Sequence, residues 1–175
     1  MGAFGGEGAG MRDKPLIMVD TNVWVDLYVP GRPNRNDSLA FFEEARRSRA
    51  ELVFTLEIAR AVFRVVTHEA KRWIRQGKGE LSEEYARAIA DHAWGFVQDM
   101  QEYGTPVGSS TPDLWMATKL RDGHPEIEDN LIVAACMRLG TDYLVTNDTK
   151  LLRHAPVAAV DPPMMTRLLR LPSQS

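Results

Sequence analysis

Four short apolar runs, set between long stretches of helical periodicity, constrain this chain most. They are Leu16–Val19 (LIMV), Leu52–Phe54 (LVF), Tyr143–Val145 (YLV) and Val157–Val160. LIMV lacks polar alternation, the pattern of a strand buried on both faces in a parallel sheet. Between the runs, spacings of three and four residues dominate. Ile58, Val62, Val65, Glu69 and Trp73 share one side of a helix predicted over 56–76 and ended by Gly77 and Gly79. Tyr85, Ile89, Ala93, Phe96, Met100 and Tyr103 line a second helix, with Ser82 as its cap. Further helices are predicted from Asp37 or Ser38 to Arg49, from Thr111 to Leu120, from Asn130 to Leu139 before Gly140, and after Pro162-Pro163 through Leu169. Pro30–Asn36, Gly104–Ser110 and Arg121–Glu128 read as loops. Strands alternating with helices predict an α/β fold, a three-layer α/β/α arrangement around a short, mostly parallel sheet with an additional helical region at 82–120.

A length of 175 residues suits one domain, placed at 15–170 between tails at 1–14 and 171–175. Met1–Met11 is Gly-rich, has neither the charged nor the apolar region of a signal peptide, and reads as a disordered tail with Met11 as an alternative start. The single cysteine, Cys136, excludes an internal disulfide and favours a reducing, cytoplasmic location. The longest apolar run, Leu131–Met137, falls far short of the roughly 18 residues a membrane span requires. A formal net charge of -3 means that any nucleic-acid site must be a local feature.

Ligands of open α/β sheets sit beyond the carboxyl ends of the strands. There this chain places acidic residues. Asp20-Thr21-Asn22 follows LIMV, Thr55-Leu56-Glu57 follows LVF, and Thr146-Asn147-Asp148 follows YLV. Glu126-Ile127-Glu128-Asp129-Asn130 opens the helix before YLV. Converging carboxylates repel one another, and a hard divalent cation such as Mg²⁺ or Mn²⁺ offsets that cost. Such an ion can generate a hydroxide nucleophile and stabilise a phosphodiester in flight. Helix capping explains Asp129 or Glu57 taken singly. The two strand-end aspartates, Asp20 and Asp148, with matching Thr and Asn neighbours, favour a metal site, with Asn22, Thr146 and Asn147 orienting its surroundings.

At these residues the chain resembles a known family. V-D-T-N-V-W-V-D-L at 19–27, E-D-N-L-I-V-A-A at 128–135 and D-Y-L-V-T-N-D-T-K-L-L at 142–152 are similar to the hallmark segments of PIN domains. These are metal-dependent ribonucleases that include the VapC-like toxins of bacterial toxin–antitoxin pairs. The resemblance implies Asp20, Asp129 and Asp148 as metal ligands and catalytic residues, with Thr146 as the hydroxyl residue before the last of them. It implies in-line hydrolysis of RNA leaving a 5′-phosphate, and a small antitoxin as protein partner. The family's further acidic residue, usually near the start of the helix after the second strand, meets Arg60 or Ala61 one turn in. Glu57 is the substitute, with Glu128 and Asp26 as other options and a three-aspartate site as another.

Arg60, Arg64, His68, Lys71 and Arg75 recur at spacings of three and four along the helix that Glu57 begins, a basic stripe suited to RNA phosphates. Arg46, Arg47 and Arg49 add charge nearby in sequence. A solvated helix face is the plainer reading of the same stripe. The four histidines lack paired ligand spacing, which argues against zinc. Trp73, Trp94 and Trp115 read as core or interface anchors and Cys136 as a core residue. The resulting expectation is a metal-dependent endoribonuclease, possible as a homodimer. One rival is a catalytically degenerate nucleic-acid or protein-binding module. Another is a haloacid-dehalogenase-like phosphatase, disfavoured because Asn22 stands where that chemistry needs a second aspartate.

Overall fold

A computed structural model describes residues 14–78 and 80–171. Of the predicted tails at 1–14 and 171–175, residues 1–13 and 172–175 lie outside the described residues, as does the stop at Gly79. In chain order the elements are β1 (Leu16–Val19), α1 (Thr21–Tyr28), α2 (Arg35–Ser48), β2 (Glu51–Thr55), α3 (Leu56–Lys78) and α4 (Glu83–Tyr103). They continue with β3 (Thr105–Val107), α5 (Thr111–Leu120), α6 (Ile127–Leu139), β4 (Tyr143–Val145), α7 (Thr149–His154), β5 (Ala159–Val160) and α8 (Pro162–Arg170).

The strands form one five-stranded parallel sheet in the order β3-β2-β1-β4-β5. β1 is central, so Ile17, Met18 and Val19 are fully buried, as their unbroken apolar character predicts. Helices flank the sheet: α1 packs on α2 and α3, α2 on α8, α3 on α4, and α5 on α6. Around α1 the core is aromatic. Trp24 is fully buried, with its ring centroid 4.5 Å from that of Phe42 and 5.7 Å from that of Phe54. Its indole Nε1 donates to the Val19 carbonyl at 3.2 Å, which ties the core to the end of β1.

Several expectations change. Helix α1 forms where none was predicted, and so does the short α7. The segment 104–110, read as loop, contains β3, an edge strand that carries Pro106. Helix α6 starts at Ile127, not Asn130; α5 spans Thr111–Leu120 as predicted, with Ser110 as its N-cap and Asp113 accepting from the Ser110 backbone N–H at 2.9 Å. Gly77 lies inside α3 and does not end it. Two glycines act as read or more strictly. Gly140 caps α6 in the left-handed conformation at φ 60°. Gly104 passes so close to β2 that an added Cβ would stand 2.9 Å from the Leu52 carbonyl oxygen. Trp73, Trp94 and Trp115 are exposed, so the core tryptophan is Trp24.

Candidate functional site

The strand order reverses beside β1, and that switch point is where a ligand crevice forms in an open parallel sheet. Val19 of β1 pairs with Val145 of β4. This register sets Asp20, the residue just after β1, beside Thr146, the residue just after β4, with the Asp20 backbone N–H donating to the Val145 carbonyl at 3.0 Å. Asp20 caps α1, its Oδ1 accepting from the Thr21 N–H at 2.6 Å. Its Oδ2 accepts from Asn22 Nδ2 at 2.7 Å and from the Thr146 hydroxyl at 2.6 Å. The Thr146 oxygen in turn accepts the Asp148 backbone N–H at 3.0 Å, and Asn22 Oδ1 accepts the Asn147 N–H at 2.9 Å. Asn22, Thr146 and Asn147 thus lock the two strand ends together.

Burial pushes the Asp20 carboxyl up to about 6 from an ordinary 3.8. The negative charges of Asp129 and Asp148 add to the rise, and hydrogen bonds from Thr146 and Thr21 oppose it. Asp129 is raised as well, first by burial and then by Glu126, Asp148 and Glu128, against the lowering effect of His124. Asp20, Asp129 and Asp148 therefore share one electrostatic neighbourhood although they come from three separate segments. His124 is buried, with Nε2 3.4 Å from Asp129 Oδ2, and neither ring nitrogen has a hydrogen-bond partner among the described residues. Asp148 Oδ1 caps α7, accepting from the Lys150 N–H at 2.7 Å and the Leu151 N–H at 3.1 Å.

Glu57 stands apart. It opens α3, where partial burial raises its pKa but the Ser109 hydroxyl, its own backbone N–H, Thr55 and the Arg60 charge outweigh that and lower it. It is not among the carboxylates that raise Asp20 or Asp129. Asp26 is fully committed elsewhere: its Oδ2 accepts from Asn147 Nδ2 at 2.8 Å and its Oδ1 from Arg32 Nε at 2.7 Å. Glu128 faces the basic helix, with Oε1 3.7 Å from Arg64 Nη2. That contact sets the stripe next to Asp129. Arg60, Arg64, His68 and Arg75 are exposed along α3, and Lys71 is partly so.

Asp20, Asp129 and Asp148 all offer carboxylate oxygens, the hard donors that suit a divalent cation, and burial with neighbouring negative charge raises the carboxyls of Asp20 and Asp129. Among the described residues, no group of three or more His, Cys, Asp or Glu side chains is arranged so that it could hold a metal ion as it stands. Sequence reasoning did not find His124 beside Asp129 or Arg32 on Asp26. For Asp26 a signal exists: a carboxylate within V-W-V-D-L, an otherwise apolar stretch, requires a buried partner. For His124 the sequence carries none.

A family model described as PIN domain matches residues 16–150. Comparison with curated proteins returns no match. Among solved structures, the chain resembles one from the crystal structure of VapBC2 from Rickettsia felis bound to a DNA fragment from their promoter. The TM-score is 0.57 at 12% identity, covering 83% of this chain and 98% of that one. That likeness shows the fold. Mycobacterium tuberculosis VapC20, described as a sarcin-ricin loop cleaving toxin, is similar at a TM-score of 0.47 and 12% identity, over 73% of this chain and 86% of that one.

Proposed function

The chain belongs to the PIN-domain family, and from that premise we propose that it is a divalent-metal-dependent endoribonuclease, the toxin of a toxin–antitoxin pair. What supports the reading is Asp20 at the switch point of the sheet, its carboxyl raised to about 6 by burial and, in smaller part, by the nearby charges of Asp129 and Asp148. These three residues would hold Mg²⁺ or Mn²⁺. Such an ion would supply Lewis acidity toward a phosphodiester and lower the pKa of a bound water. Thr146 and Asn22 orient the Asp20 carboxylate by donating to its Oδ2. Arg60, Arg64, His68, Lys71 and Arg75 take the RNA phosphates on the Asp129 side, where Arg64 already meets Glu128. A protein antitoxin is the partner this family reading supplies, and a cytoplasmic location follows from it. No described helix is long and apolar enough to cross a membrane.

Asn22 donates to Asp20 Oδ2 through its amide, which cannot serve as the general acid of a haloacid-dehalogenase-like phosphatase. The non-catalytic binding module keeps one specific observation in its favour: Glu57 is engaged with Ser109 and Arg60 rather than with the aspartates. Cleavage of a labelled RNA pool by wild type and Asp20→Asn, with Mn²⁺, Mg²⁺ or EDTA, separates the readings. The ribonuclease cuts only with metal and only in the wild type. A folded wild type that neither cuts nor binds Mn²⁺ is the binding module.

A further inference from the structure

Asp26 is a carboxylate only 1% exposed, carried by a helix whose neighbouring residues Val23, Trp24, Val25 and Leu27 belong to the core. Burying it is costly without strong partners. It has two, and one of them leads to the acidic site. Asn147 Nδ2 donates to Oδ2 at 2.8 Å and Arg32 Nε to Oδ1 at 2.7 Å. Asn147 is the residue between Thr146 and Asp148, and its backbone N–H donates to Asn22 Oδ1 at 2.9 Å. Asn22 then donates to Asp20 Oδ2 at 2.7 Å. An unbroken run of hydrogen bonds therefore joins Arg32 to Asp20 through Asp26, Asn147 and Asn22.

Arg32 itself lies in the segment between α1 and α2, and its side chain remains 42% exposed. Only Nε is used; Nη1 and Nη2 donate to no protein group among the described residues. A guanidinium pinned through Nε presents its remaining N–H groups in a fixed plane, the geometry that grips phosphate oxygens. We propose that Arg32, held in place by Asp26, is an RNA phosphate-binding residue on the Asp148 side of the site. This rests on the ribonuclease reading and extends it. Arg64, paired with Glu128, marks the Asp129 side. On this reading Arg32, tied through Asp26 to Asn147 beside Asp148, and Arg64, beside Glu128 next to Asp129, would set positive charge on two sides of the aspartates. That charge offsets the repulsion between the polyanion and the carboxylates. Asp26 is the positioning residue, acting only through Arg32 and Asn147.

The test measures binding of short single-stranded RNAs of several sequences to Asp20→Asn protein across a salt series. Adding Arg32→Ala weakens binding several-fold at low salt, equally for all sequences, and flattens the plot of log affinity against log salt by about 0.7. Arg32→Lys, which keeps the charge, restores most of that slope. Removing the partner of a buried carboxylate threatens folding, so Asp26→Asn with Arg32→Gln, a neutral hydrogen-bonded pair, serves as the second variant and loses the same slope. An unchanged slope in both, with Arg64→Ala still lowering it, makes Arg32 a loop brace and overturns this inference alone. Absence of RNA binding by the Asp20→Asn protein itself overturns the inference together with the ribonuclease reading.

Discussion

At Asp20 the fold sets an acidic group where its charge is disfavoured, and the consequence is a pH-dependent stability. The carboxyl titrates at about 6 when folded and at 3.8 when unfolded. Because the folded value is the higher, this residue's contribution is fully present below pH 3.8, declines as pH rises, and is lost once pH passes about 6. The difference corresponds to about 3 kcal/mol. Asp20→Asn removes the titrating charge at the expense of roughly 1 kcal/mol in altered hydrogen bonds. Urea unfolding without metal should therefore find the variant about 1–2 kcal/mol more stable than wild type at pH 7.5, with the advantage gone at pH 3.5. Thr146 restrains the same group through its 2.6 Å hydrogen bond. In Thr146→Val the Asp20 carboxyl should titrate still higher by carbon-detected NMR, and cleavage should fall about 10–100-fold. Thr146→Ser should recover both. An unmoved titration in the valine variant would show that the hydroxyl does not support Asp20.

Elements form here for reasons of different range. α4 starts at Ser82, whose side chain accepts from the Tyr85 N–H at 3.2 Å, and the cap was readable because it is local. α1 was not. Its residues Thr21, Val23, Trp24 and Val25 are weak helix formers, and the helix exists because Trp24 fills a core made by α2, β2 and α4. β3 has three residues, one of them proline, and becomes a strand only because β2 offers an edge to pair with. The turn that delivers it depends on Gly104. Gly104→Ala should force a shift against the Leu52 carbonyl, 2.9 Å from the new Cβ, and cost about 1–3 kcal/mol, read as a lower urea midpoint. A midpoint equal to wild type would mean that the β3 edge yields freely.

At the scale of the whole molecule, the sheet carries mutually repelling carboxylates at one edge, and on the ribonuclease reading a divalent cation would offset that repulsion. A divalent ion that binds only the folded protein should stabilise it by about 2.7 kcal/mol at a concentration of 100 times Kd. A thermal-shift titration with Mn²⁺ should show that rise in wild type and little of it in Asp20→Asn, where one carboxylate is gone. An equal rise in both would move the ion elsewhere. Much of this molecule was legible from local pattern: the apolar runs, the helical periods, the αL glycine at 140 and the acidic residues at the ends of β1 and β4 all depend on neighbours in sequence. The sequence by itself determined the α/β class and the carboxylates available at strand ends, since burial pattern and strand exit are short-range properties. Only the tertiary structure decided which of them meet. Thr146 reaches Asp20 across 126 positions and Asn147 reaches Asp26 across 121, because the order β3-β2-β1-β4-β5 lays β4 against β1 in the register Val19 to Val145. The separate pairing of β2 with β3, Thr55 to Val107, brings Glu57 near Ser109. Strand order and register arise from the packing of the entire core, and no local stretch of sequence encodes them.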